Sequence, residues 1–426
     1  MKKKLIFWLA AMMAIGTATM MTSCSKEDTP SDSPAVVPEP TVPAARITET
    51  IRKEKAKATV YNFEYPSLDP YGKAATLSGS IVVGDEVEAG KQAAGMVLYN
   101  HFTVFQKDQC PSRGDLDIVL KVVGSKLIAV APDYYGFGST GDKNQAYCMS
   151  RTNSQSSVDA LLAARQILKE KGYTWGDYLF NLGYSEGGQT AMGVVRLVAE
   201  KYPDIKITHT VAGAGPYDIG ETYRQLVSSG ETSMPSTVIS TLLAYNEYYQ
   251  LGVKNSEMFL DPTLSNIPTY LFSKDYKRNE LEGKLASTKI SEWIHPSLLD
   301  FKSSLSMKFM EVFEKENLSK GWKPRGDERI SLVHNTLDAC VPYANTTQLA
   351  EFFKRAGFTV DVLFTSNRYQ DGMVFVFPVV LPPLSENMGS HEAGAIPFVT
   401  ELITVICHYL DIKPWFTITP EELGGV

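Results

Sequence analysis

Past the first 45 residues, short apolar runs recur along this chain, separated by stretches with helical spacing. Ala75–Gly84, Gly95–His101, Leu127–Pro132, Tyr178–Gly183, Ile207–Ala214, Ile330–His334 and Val360–Phe364 read as strands. Several are almost continuously apolar, which is the pattern of strands covered on both faces. Between them, Asp115–Val123, Ser157–Lys171, Gln189–Tyr202, Thr346–Ala356 and Ala393–Leu410 have the length and spacing of helices. Ser156, Ser157 and Asp159 precede the apolar periodicity of the second of these and predict its capped start. Strand and helix in alternation predict an α/β fold, a doubly wound, mostly parallel sheet.

One interval breaks this rhythm. Residues 219–325 separate two predicted strands by far more than the ~2–6 residues of an ordinary strand–helix connection. They contain helical patterns at Ser236–Leu251 and Leu299–Glu314, with Tyr245, Tyr248, Tyr249, Phe259, Phe272 and Trp293 as aromatic surface. The expectation is a helical cap or lid, 219–325, inserted into a core made of residues 46–218 and 326–426.

The front of the chain obeys different rules. Lys2, Lys3 and Lys4 precede a mostly apolar stretch, Leu5–Met21, that ends in small residues, the layout of an export signal over residues 1–23. Met21-Thr22-Ser23-Cys24 resembles the lipobox of bacterial lipoproteins, which implies an acylated Cys24 as the mature N-terminus. Residues 24–45, with Pro30, Pro34, Pro38, Pro40 and Pro43 among Ser, Thr, Asp and Glu, hold too few apolar groups to fold and read as a tether. At ~3.1 Å per residue in extended polyproline form it would reach up to ~65 Å. Ser25-Lys26-Glu27-Asp28 resembles the surface-export signal of some outer-membrane lipoproteins, so the expected location is the cell envelope, on an outer-membrane lipid anchor and exposed at the surface.

Composition narrows the function. The 426 residues are 44 % hydrophobic and 21 % charged, which excludes a disordered chain. Basic and acidic residues number 41 and 48, net −7, and without residues 1–23 the balance is −10, so nucleic acid is not an expected partner. No uninterrupted apolar run is long enough for a polytopic membrane protein, leaving a lipid anchor as the expected membrane contact.

The candidate chemistry centres on Gly183-Tyr184-Ser185-Glu186-Gly187, a G-x-S-x-G sequence between a predicted strand and a predicted helix. Small residues around the serine let a sharp turn present its hydroxyl at the end of a sheet. A serine hydroxyl needs a base, and histidine has the suitable pKa. Of six histidines, His391 alone lies in a loop late in the chain, before the last helix; His408, within that helix, is the alternative. The acid that orients the base should follow a late strand. Asp338 in His334-Asn335-Thr336-Leu337-Asp338-Ala339-Cys340-Val341-Pro342 does so, with Asp218 in Gly215-Pro216-Tyr217-Asp218 as the alternative.

Chain order Ser, Asp, His is that of the α/β-hydrolases. The Asp338 segment resembles their H-G-x-x-D-x-x-V-P loop with Asn335 in place of Gly, and Pro132-Asp133-Tyr134-Tyr135-Gly136-Phe137-Gly138 resembles their P-D-x-x-G-x-G turn. From about Ile47 to Leu410 the chain is similar to the secretory lipase/esterase group of that superfamily. Tyr99-Asn100, Cys110-Pro111-Ser112, the block Gly183–Gly188, Gly215-Pro216, the insertion and the late Asp and His stand in that group's order. The resemblance implies hydrolysis of carboxylic esters, small-molecule, lipid or glycan, through an acyl-serine. A serine peptidase on the same triad and a non-catalytic surface-tethered binding protein are the other readings. The oxyanion donors it implies are the backbone N–H of Glu186 and that of Phe102 or Thr103, in a loop where Phe102 replaces Gly. It implies no cofactor, and no Cys/His spacing suggests a metal.

Two further expectations concern packing. Cys110 and Cys148 fall on loops after successive strands, and an exported protein permits a bridge between them; Cys340 and Cys407 read as small buried residues. The apolar run Gly372–Leu384 reads as a buried strand or packed loop, with the lining of an acyl pocket as the alternative.

Overall fold

The computed structural model describes residues 44–414, apart from 89, 115, 124–125 and 385–388. The expected export signal, Cys24 and nearly all of the expected tether lie outside the described residues. Ten strands form one sheet in the order β1-β2-β3-β5-β4-β6-β7-β8-β10-β9. They are β1 (Arg46–Lys53), β2 (Ala58–Leu68), β3 (Ala74–Gly84), β4 (Ala93–Asn100), β5 (Leu127–Pro132), β6 (Trp175–Tyr184), β7 (His209–Gly213), β8 (Arg329–Asn335), β9 (Thr359–Asp361) and β10 (Met373–Val379). From β5 to β9 every pairing is parallel, and β1, β2 and β3 add an antiparallel edge.

The pleat sorts the apolar residues into two layers. Ile81, Val83, Met96, Leu98, Ile128 and Val130 face one core with Leu161, Ala164 and Leu168 of the helix Ser150–Glu170. Their neighbours Val82, Val97, Tyr99, Ala129 and Ala131 face the other, against Phe398, Leu402 and Ile406 of the helix Ala395–Leu410. Both faces are therefore covered, as the continuous apolar strands predicted. Beyond β7, the helix Ala344–Arg355 contributes Leu349 and Phe353 to a third cluster with Ile330, Leu332 and Val374.

The predicted strands and helices are present, with instructive shifts at their ends. The helix expected at Ser157 begins at Ser150. Ser156 and Ser157 do not cap it: Ser156 Oγ meets Tyr65 Oη at 2.9 Å, and Ser157 Oγ meets Asn100 Oδ1 at 2.8 Å, both buried. These serines mimic a cap in sequence because the helix faces polar groups of the sheet. Strands β1 and β2 carry too mixed a pattern to be predicted. The run Gly372–Leu384 contains β10, a strand between β8 and β9, while its last residues, 380–384, leave the sheet.

The expected Cys110–Cys148 bridge is overturned. Both are buried free thiols: Cys110 packs with Val104 and Phe137, while Cys148 belongs to a different, larger cluster. Successive loops on one edge need not bring two sulfurs together.

The interval between β7 and β8 is helical, with its longer elements at Ile219–Ser229, Pro235–Tyr248, Arg278–Leu285 and Ser304–Lys315. It is joined to the sheet domain by polar contacts. Tyr245 Oη donates to Cys148 O (2.9 Å), Ser150 Oγ donates to Glu316 Oε2 (2.6 Å), and Lys274 Nζ donates to the carbonyls of Gly136 (2.5 Å), in the P-D-x-x-G-x-G turn, and of Gly141 (3.0 Å), just after it.

Candidate active site

At the carboxyl end of β6 the chain turns through Ser185 into the helix Glu186–Lys201. Ser185 holds φ 58°, ψ −122°, a conformation that costs a non-glycine residue about 1–3 kcal/mol. It is held there by Ser185 N–H donating to Gly213 O (2.9 Å) and Gln189 N–H donating to Ser185 O (3.0 Å). The turn is tight enough that a Cβ on Gly183 would be driven into the Gly187 carbonyl, and one on Gly187 into the Asn100 carbonyl. Glycine is required here by close approach.

The late loops bring His391 and Asp338 to this serine. His391 Nε2 lies 2.8 Å from Ser185 Oγ, and His391 Nδ1 lies 2.6 Å from Asp338 Oδ2. Asp338 Oδ1 accepts the N–H groups of Cys340 and Val341, each at 2.8 Å. Burial opposes the ionisation of Asp338, but the His391 charge and hydrogen bonds from His334 and His391 outweigh it and hold the carboxyl well below its usual range. Burial likewise disfavours the His391 cation, yet the Asp338 charge and hydrogen bond prevail and raise its pKa above the usual value.

Asn335, the departure from the expected glycine, stitches these two loops together. Its Nδ2 donates to Leu381 O (2.8 Å) and Ser390 O (2.7 Å), and its Oδ1 accepts Leu381 N–H (3.0 Å) and Leu337 N–H (3.2 Å). Tyr184 adds a further tie, its Oη donating to His391 O at 2.6 Å. Neither role was legible in the sequence, since both partners lie far along the chain.

The alternatives fall elsewhere. Asp218 caps the helix Ile219–Ser229 through Glu221 N–H (3.0 Å) and accepts Asn317 Nδ2 (2.8 Å). His408 stacks on Tyr369 with ring centroids 3.4 Å apart. His101 Nδ1 lies 2.7 Å from Phe102 O and its Nε2 3.1 Å from Asp133 O, and His209 Nε2 lies 3.0 Å from Ser331 Oγ. In the turn after β5, Asp133 accepts Ser78 Oγ of β3 (2.6 Å) and Ser112 Oγ (2.5 Å), tying that turn to β3 and to the loop around Ser112.

Ser185 and His391 open on one cavity with a largely apolar wall. Phe102, Thr103 and Glu186 line it beside Ser185, so both loops expected to supply oxyanion donors border the same space. The insertion supplies Ile219, Leu226, Met234 and Val238 to its wall, together with the cation Arg278. The Glu186 side chain is fully buried and accepts Cys148 N–H and Asn153 Nδ2–H, each at 3.2 Å; burial outweighs those bonds and pushes its pKa up to about 8. It is therefore an uncharged acid near neutral pH.

Residues 114–375 match the family model described as secretory lipase. Among solved structures, a protein from Legionella pneumophila superposes with a TM-score of 0.71 at 20 % identity, covering 86 % of this chain and 97 % of its own. The rice cell wall degrading esterase LipA from Xanthomonas oryzae gives 0.68 at 19 % over the same shares. Candida antarctica lipase A in its closed state gives 0.63 at 12 %, covering 89 % of this chain and 87 % of its own. At these identities the likeness is one of fold, that of α/β-hydrolase lipases and esterases. No curated protein matches the sequence.

Proposed function

This chain belongs to the secretory lipase family, which makes it an ester hydrolase, and from that premise we propose that it cleaves carboxylic esters through an acyl-serine on Ser185. The observation that carries the proposal is the continuous relay from Asp338 through His391 to Ser185, 2.6 and 2.8 Å, opening on one cavity. Ser185 Oγ attacks the ester carbonyl carbon while His391 Nε2 takes its proton. Asp338 fixes the tautomer with its proton on Nδ1 and stabilises the imidazolium. The tetrahedral oxyanion accepts hydrogen bonds from Glu186 N–H and from the backbone of Phe102 or Thr103. Collapse releases the alcohol with the proton from His391, and water, deprotonated by His391, then frees the acid from Ser185.

The wall chemistry supports an apolar acyl group. Besides Ile219, Leu226, Met234 and Val238, the cavity is lined by Thr222, Thr237 and Thr241, whose hydroxyls donate to Asp218 O (3.0 Å), Met234 O (2.7 Å) and Thr237 O (2.8 Å). With the hydroxyls engaged by backbone, these threonines offer methyl groups. In this reading residues 219–325 act as a cap that forms the acyl side of the site, and the alcohol is that of a small molecule, lipid or glycan. Membership of a secretory family fits an exported protein, and we assign Cys24 as its lipid attachment point at the outer membrane.

The test is Ser185→Ala, assayed with p-nitrophenyl esters and with a fluorophosphonate label. Loss of a triad nucleophile costs ~10⁴–10⁶ in kcat, and labelling should vanish. Unchanged ester turnover in the variant refutes the mechanism, while faster turnover of aminoacyl anilides than of esters by the wild type refutes the substrate class.

A further inference from the structure

Arg278 stands on the first turn of an insertion helix, Arg278–Leu285, yet its Nη2 lies 2.6 Å from Glu392 Oε1, the residue directly after His391. Both side chains are largely buried, 16 % and 3 % exposed, so the pair is poorly screened. Arg278 and His391 also line the same cavity. We propose that Arg278 is a positioning residue for the base: by pairing with Glu392 it cancels a buried carboxylate beside the imidazole and so keeps His391 in its proton-accepting form when the insertion is seated. The proposal rests on His391 being the base.

The surroundings of His391 leave this pair as its variable part. From the β8 loop Asp338 faces Nδ1, with His334 behind it, Nε2 3.4 Å from Asp338 Oδ2. From the β6 turn come Ser185 on Nε2 and the Tyr184 ring at 5.3 Å. Cys340 adds a buried thiol kept protonated by burial. Glu392 comes from the same turn as His391 and Arg278 from the insertion. Glu282, one turn beyond Arg278, has its pKa raised by burial to about 7, so it is about half ionised at neutral pH, and its carboxyl accepts Ser236 N–H (3.0 Å) and Oγ–H (2.6 Å). Among these, Glu392 raises the His391 pKa and Arg278 lowers it. The two effects oppose one another only while the insertion holds Arg278 in place.

The experiment is the pH profile of kcat/KM for a soluble p-nitrophenyl ester in wild type, Arg278→Gln, Glu392→Gln and the double variant. The acid limb reports the base. Arg278→Gln should move its midpoint up by about one pH unit, a roughly tenfold loss on the acid side, and Glu392→Gln should move it down. The double variant should return close to wild type. A purely structural role would lower activity in both single variants with the midpoint in place. Midpoints that do not move, or that move in the same direction in both single variants, overturn the proposal; if Arg278→Gln does not fold, the downward shift in Glu392→Gln decides it alone. Failure here with Ser185→Ala inactive leaves the acyl-serine reading standing, whereas an active Ser185→Ala removes both.

Discussion

The substitution Asp338→Asn tests the relay with almost no change of shape. Asp338 Oδ1 accepts two backbone N–H groups, from Cys340 and Val341, at 2.8 Å each. An amide nitrogen there would set donor against two donors, leaving buried polar groups unpaired at about 1–3 kcal/mol each. The introduced amide is thus forced to keep its oxygen on those donors and turn its NH₂ toward His391 Nδ1, 2.6 Å from the carboxylate in the wild type. That ring nitrogen must then accept, which puts the imidazole proton on Nε2, pointing at Ser185 Oγ. A base protonated on its working nitrogen cannot take the serine proton. The expected loss is ~10⁴ in kcat, about 5 kcal/mol of transition-state stabilisation, with KM little changed. The measurement is steady-state hydrolysis of a p-nitrophenyl ester alongside urea unfolding. A loss under tenfold in a folded variant would refute the assignment of Asp338. A large loss accompanied by unfolding would point to the loop instead, since the two N–H bonds also shape residues 338–341.

Two further outcomes follow from the buried acid and the front of the chain. Glu186 has a folded pKa of about 8 against an ordinary value of 4.5, so its contribution to stability is full below pH 4.5 and is lost as pH rises toward about 8, on the order of a few kcal/mol. Glu186→Gln keeps the backbone oxyanion donor and should unfold at higher urea than wild type at alkaline pH; parallel pH dependences in the two proteins would contradict this. Cys24→Ser should abolish incorporation of labelled palmitate and release the protein from the membrane fraction, and retained label would refute the anchor.

How far the site was legible in sequence depended on the range of the interactions involved. Ser185 was readable because its turn is built by neighbours: an apolar strand before it, a helix after it, and glycines where the backbone passes close to Asn100 and Gly187. His391 and Asp338 were readable through chain order and loop type. Ser156 and Ser157 misled because a cap and a buried helix-to-sheet contact use the same residue type, and only the partner, Tyr65 or Asn100, distinguishes them. Cys110 and Cys148 misled similarly, since loop order says nothing of where each thiol points.

By itself the sequence determined what depends on local periodicity and covalent order: the alternation of strand and helix, the long interval between β7 and β8, the strained serine turn, and the surplus of acid over base. Tertiary structure alone decided which groups meet across long separations. Asn335 ties the acid loop to the histidine loop 55 residues later, and Tyr184 holds the His391 carbonyl across 207. Arg278 reaches Glu392 across 114 residues from within the insertion. The physical reason is that a buried charge or amide must find a partner somewhere, but propensity and patterning carry no record of which distant group that will be.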